Sequence, residues 1–296
     1  MVSAMRDPSA GRSFEGVQGM TPQIDRAAVA GVELDYELGG AGEPVVLVHA
    51  GVCADFFRPL LEQEALTASH MVVSYHRAGY AGSTRVPGAL SLADQARHCA
   101  ALMRRLEIER AHVVGHSSGV SIALQLALDA PELVASLVLM DPARPTAKSA
   151  LQEQQLTQVV GPALELYRRG DRAAAIASWM EGVCGPDWAG PLERALPGAV
   201  KQAVADADTF FGQEIPAIVE WSFGPEEAAR ITQPVLAVLG ENSRPIFRER
   251  RDLLMGWLRD VESYVLPGAT HLLQVENPGP LATALTGFLA RHAFDS

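Results

Sequence analysis

The chain has 296 residues, of which 48% are hydrophobic and 20% charged, so it belongs among globular proteins and not among disordered or fibrous ones. Its net charge is -11, and its basic residues gather no more densely than the pairs Arg104-Arg105 and Arg250-Arg251. That argues against nucleic acid as a partner, because phosphate backbones demand clustered cations. The three cysteines, Cys53, Cys99 and Cys184, are too few and too widely spaced for a disulfide framework or a zinc site, and a cytoplasmic location fits best.

Residues 1–22 are polar, rich in Gly and Ser, without a signal-peptide core, and read as a mobile tail. No segment reaches the roughly 18 to 20 apolar residues of a membrane-spanning helix, so no membrane partner is expected. Residues 23–146 read as the first part of a core. Ile24 to Val29 and Val32 to Glu37 form a hairpin around Gly31, followed by strands over Val45 to His49 and Met71 to Tyr75. Ser91 is the expected N-cap of a helix over Ala93 to Leu106. Then come a strand over Ala111 to Gly115, a helix over Ser118 to Ala130 and a strand over Leu137 to Met140.

Residues 147–228 carry no strand pattern and read as an inserted helical cap. Its expected helices are Ser149 to Arg169, Arg172 to Val183, Pro191 to Ala207 and Ile215 to Phe223. Residues 229–296 complete the core with strands over Pro234 to Leu239 and Glu262 to Leu266 and an amphipathic helix over Pro280 to Arg291. Strands alternating with helices predict an α/β fold: a mostly parallel sheet with helices on both faces and its ligand at the carboxyl ends of the strands.

Gly115-His116-Ser117-Ser118-Gly119 joins a predicted strand to a predicted helix, the context that a G-x-S-x-G nucleophile turn requires. Such a turn lifts a serine hydroxyl to the sheet edge, and the helix N-terminus offers backbone N–H groups to developing negative charge. Ser117 is the expected nucleophile, and Ser118 is expected to donate its backbone N–H.

At these residues the chain resembles the α/β-hydrolase superfamily, over roughly residues 24 to 293. Leu47-Val48-His49-Ala50-Gly51 is similar to the family's His-Gly oxyanion loop, with Ala50 where glycine is usual. Tyr75 to Ser83 resembles its Arg-x-Gly-x-x-x-Ser turn. The resemblance implies an oxyanion hole of the Gly51 and Ser118 N–H groups; the ring of His49 is expected to brace the loop without taking part in the chemistry.

Among the 8 histidines, His98 falls in a helix, His112 in a strand and His292 near the chain end. His271 follows a strand and the Pro267-Gly268-Ala269 turn, and with Glu276-Asn277-Pro278 it looks like the family's late loop that carries the base. The commonest family pattern places the acid after strand seven, where this chain has Gly240-Glu241-Asn242-Ser243. The expected acid is therefore Asp141, at the end of strand six beside Pro142; Glu241 and the more distant Asp252 are the alternatives. Zearalenone lactonases and some haloalkane dehalogenases take their acid from this place, and the lactonases share the serine pair.

Phe210, Phe211, Ile215, Ile218, Trp221 and Phe223 are placed either to line a pocket or to join cap helices, with Trp221 the foremost pocket candidate. An apolar cap without clustered Lys or Arg favours an uncharged ester or lactone as the small-molecule substrate, and no metal or organic cofactor is implied. A cofactor-free dioxygenase and a ligand receptor are the competing readings. Oligomeric state stays open, a homodimer included.

Overall fold

A computed structural model describes residues 24–145 and 148–294; the expected tail over residues 1–22 lies outside the described residues. Among the described residues eight strands form one sheet: β1 (Asp25–Val29), β2 (Val32–Gly39), β3 (Glu43–Val48), β4 (His70–Tyr75), β5 (Ala111–His116), β6 (Val134–Met140), β7 (Val235–Gly240) and β8 (Val261–Leu266). Their spatial order is β1-β2-β4-β3-β5-β6-β7-β8. β2 pairs antiparallel with β1 and β4, and all later pairings are parallel.

β5, β6 and β7 are buried along their whole length, as strands covered by helices on both faces must be. Alternate side chains serve the two faces. Val46, Val113 and Leu137 meet the helices Leu92–Arg105 and Ser118–Asp129, while Val45, Val114 and Val138 meet the closing helix Pro278–Arg291. After β3 the chain turns to one side to make β4, then returns to the other side to make β5. This reversal opens a crevice outside the carboxyl ends of β3 and β5, where doubly wound sheets bind ligands.

Between β6 and β7 the described chain is helical, and it packs a separate apolar cluster over that sheet edge. The expected helix over Pro191 to Ala207 is two helices, Ala189–Ala195 and Ala199–Ala205, broken at Pro197-Gly198 with Gly198 at φ +89°. The last expected helix stops at Glu220 because Trp221 is extended. Two further differences are an earlier start of β6, at Val134, and an unforeseen helix, Pro245–Trp257. That helix buries Ile246, Phe247, Arg250 and Leu254, and the arginine within this stripe breaks its apolar pattern.

Candidate active site

The turn after β5 is held in a conformation that few non-glycine residues adopt, with Ser117 at φ +54° and ψ −115°. Three backbone bonds fix it: Ser117 N–H to Met140 O (2.9 Å), Ala143 N–H to Ser117 O (3.2 Å) and Val120 N–H to Ser117 O (3.1 Å). The flanking glycines serve close approach, since neither has a positive φ. A Cβ on Gly115 would stand 2.5 Å from Gly119 O, and one on Gly119 would stand 2.1 Å from Val48 O. The helix thereby starts directly against β3 and β5, with Ser117 at its head and partly exposed.

His271 and Asp141 meet across the ends of β8 and β6. His271 Nδ1 lies 2.9 Å from Asp141 Oδ2, and both side chains are buried. A carboxylate only accepts, so the imidazole proton sits on Nδ1 and Nε2 is left with its lone pair. Asp141 is itself held at φ +42°, a conformation that aspartate tolerates better than most residues. Its Oδ1 accepts from Gly240 N–H at 3.1 Å, and Ser243 Oγ donates to Oδ2. The serine standing where the family's acid is usually found thus hydrogen-bonds the carboxylate of Asp141.

The ring of His271 stacks on Phe247, with centroids 4.0 Å apart and planes at 12°, and touches the ring of His116 at 4.7 Å. Glu241, an alternative acid, is turned away: its carboxylate accepts Gly268 N–H at 2.7 Å on the exposed side of the loop. Asp252 is paired with Arg251 on the outer surface. Among the other histidines, His76 faces Asp55, His112 faces Ser136, and His292 faces Glu262. Burial, followed by the nearby His271, holds His116 well below the usual histidine range, so it stays neutral.

Gly51 and Ser118 are brought together, but not as two open donors. Gly51 N–H donates to Ser118 Oγ at 2.9 Å and is occupied by it. Ser118 N–H, in the first turn of its helix, has no intrahelical acceptor. His49 braces this loop. Its Nε2 accepts Arg77 N–H at 2.9 Å, its Nδ1 lies 2.6 Å from Ala50 O, and burial followed by the Arg77 charge keeps it neutral. Arg77 in turn forms a fully buried pair with Glu214 at 2.9 Å, to which Tyr80 also donates, so the loop after β4 is tied to the helical insertion.

Ser117, Ser118, Gly51 and His271 line one cavity of about 100 Å³. Its walls are mostly apolar and include Val52, Phe56, Trp179, Met180, Phe210 and Ile215. The expectation for Trp221 fails. Its Nε1 donates to Gln125 Oε1 at 2.8 Å, its ring stacks on Phe223, and both rings pack against the core instead. Phe211 likewise stacks on Tyr167 inside the insertion. Two arginines from outside the expected cap, Arg144 and Arg250, far apart in sequence, also reach the cavity wall.

Residues 45–284 match the sequence pattern of the Alpha/beta hydrolase family. The chain belongs to that family. Among curated relatives, a putative carbamate hydrolase, RutD, from Azorhizobium caulinodans is 42% identical over 110 residues, 37% of this chain and 41% of that protein. The chain thus matches only about two fifths of that relative's length. The dihydrolipoyllysine-residue acetyltransferase component of an acetoin cleaving system from Pseudomonas putida is 28% identical over 293 residues, 93% of this chain and 71% of that protein. Among solved structures, an enol-lactonase from Burkholderia xenovorans superposes with a TM-score of 0.76 at 20% identity, covering 90% of this chain and all of that one. An esterase from Thermogutta terrifontis superposes at 0.73, also at 20% identity, covering 92% of this chain and 100% of that one. These likenesses agree on the fold of this chain.

Proposed function

We propose that this hydrolase cleaves a carboxylic ester or lactone of a small molecule through an acyl-enzyme on Ser117. The reading rests on one observation: His271 is fixed by Asp141 through Nδ1 at 2.9 Å while sharing the cavity wall with the strained Ser117. His271 Nε2 takes the proton as Ser117 Oγ attacks the carbonyl carbon, and returns it to the leaving oxygen. Asp141 stabilises the imidazolium that forms in between. Ser118 N–H, at the positive end of its helix, receives the oxyanion, and rotation of the Ser118 hydroxyl releases Gly51 N–H as the second donor. A water activated by the same Nε2 then frees the acid.

Apolar walls and a small volume favour short acyl and alcohol parts over long chains. The test is hydrolysis of p-nitrophenyl acetate and butyrate by wild type and Ser117→Ala, with mass spectrometry after a fluorophosphonate probe. Expected are turnover and a single adduct on Ser117, both lost in the variant. Turnover surviving in Ser117→Ala would overturn the proposal.

A further inference from the structure

We infer that Arg250 forms a carboxylate subsite, so that the substrate of this hydrolase carries an anionic carboxylate remote from the bond that is cleaved. The inference rests on the proposed ester or lactone chemistry for its place in the reaction, though not for its binding step.

Arg250 is only 5% exposed and lines the same cavity as Ser117 and His271. Buried guanidinium groups are ordinarily paired with carboxylates, as Arg77 is with Glu214, since an unpaired buried charge is costly. Arg250 has no such partner among the described residues. Its Nη2 donates to two neutral acceptors, Gln152 Oε1 at 2.9 Å and Gln155 Oε1 at 2.6 Å, and its buried Nε has no hydrogen-bond partner. Glu249, its neighbour in sequence, is turned to the Ser149 hydroxyl at 2.7 Å.

The surroundings add positive charge and donors. Burial, followed by the Arg144 charge and opposed by the weaker pull of the Glu249 carboxylate, pushes Arg250 down to about 9, so it remains a cation at neutral pH while being held there at a cost. Gln152 and Gln155 also line the cavity, and by giving their oxygens to Arg250 they keep their amide N–H groups as donors. A carboxylate in this place would meet the unpartnered Nε–H and, by displacing one glutamine oxygen, the Nη2–H beside it, which completes a bidentate fork, with the freed glutamine as a further contact. Arg250 also lies over the Phe247 ring at 5.8 Å, and the other side of the path is short, since Phe247 stacks on His271. The anionic group therefore sits one aromatic ring away from the base, at the scale of a substrate with a few carbons between its carboxylate and its scissile carbonyl.

The test uses Ser117→Ala protein, which keeps the cavity without turnover, and calorimetric titration with monomethyl glutarate and its neutral counterpart dimethyl glutarate. The monoanion is expected to bind at least about tenfold more tightly, as for a charge-assisted bidentate contact. Adding Arg250→Gln should bring the ratio to about one, and Arg250→Lys, which keeps the charge without the fork, should lower it at least about threefold. The ratio is blind to any loss of stability from breaking the tie to Gln152 and Gln155. Equal binding of the two compounds, or a preference unchanged in both arginine variants, overturns the subsite. A hydrolase without esterase activity would instead be seen in the p-nitrophenyl assay while these titrations still report on Arg250.

Discussion

Asp141→Asn isolates the contribution of the proposed acid with little else disturbed. Asparagine has the same shape and tolerates the φ of +42° at this position, so the backbone need not move. The carboxylate accepts from three donors: His271 Nδ1 (2.9 Å), Gly240 N–H (3.1 Å) and the Ser243 hydroxyl. An amide has one oxygen for these donors and presents an NH₂ group on its other side. If the oxygen stays on Gly240, the NH₂ faces His271 and forces its proton onto Nε2, removing the lone pair that Ser117 needs. The expected fall in kcat is roughly 10³- to 10⁴-fold, about 4 to 5.5 kcal/mol of transition-state stabilisation, with KM little changed. Loss of the charge-assisted bonds should also lower stability by about 1 to 3 kcal/mol, so the assay is steady-state p-nitrophenyl butyrate hydrolysis well below Tm. Glu241→Gln, at a carboxylate that accepts Gly268 N–H on the exposed side of its loop, should stay within about twofold of wild type. An Asp141→Asn enzyme within about tenfold of wild type would refute the assignment of the acid.

Three further predictions concern the loop and the frame around the site. Ser118→Ala removes the acceptor that occupies Gly51 N–H while leaving both backbone donors, so kcat should change by less than about tenfold. A loss of about 100-fold or more would make the hydroxyl itself the essential donor. Glu214→Ala leaves Arg77 fully buried and unpaired and should lower stability by about 3 to 5 kcal/mol in a chemical denaturation series, more than Arg77→Met with Glu214→Leu together. A smaller loss in the single variant would contradict this account. The pH dependence has a definite sign. His49 and His116 are buried neutral, with folded values below the 6.5 of the unfolded chain. Between those values the unfolded chain binds more protons, so this stability is complete above pH 6.5 and is lost as pH falls below it. Each histidine should cost up to about 1.4 kcal/mol per pH unit, and a denaturation midpoint flat between pH 7 and 5 would count against it.

The alternation of buried strands and helices, the Gly-x-Ser-x-Gly turn and the late histidine loop are local patterns, and each carries its own physical requirement. The sheet, the turn at Ser117 and the position of His271 at a strand end were legible from them. The torsion of Ser117 and the tight contacts of Gly115 and Gly119 explain why that short pattern is so informative: few other residues fit there. The expectation of Asp141 came from the serine at position 243, and the structure puts Asp141 beside His271 and Glu241 beside Gly268 N–H.

What the sequence by itself determined was therefore the fold and the kinds of residue that meet at the carboxyl edge of the sheet. Three things belonged to the tertiary structure alone. The occupation of Gly51 N–H by a side chain 67 residues away is one, and the departure of Trp221 from the cavity to the core is another. The third is the meeting of Arg144 and the buried Arg250 at one wall, which puts positive charge beside a mostly apolar cavity. All three are long-range, and for a reason. Local periodicity reports which face of an element is buried, whereas the identity of the groups across that buried face depends on how distant segments pack.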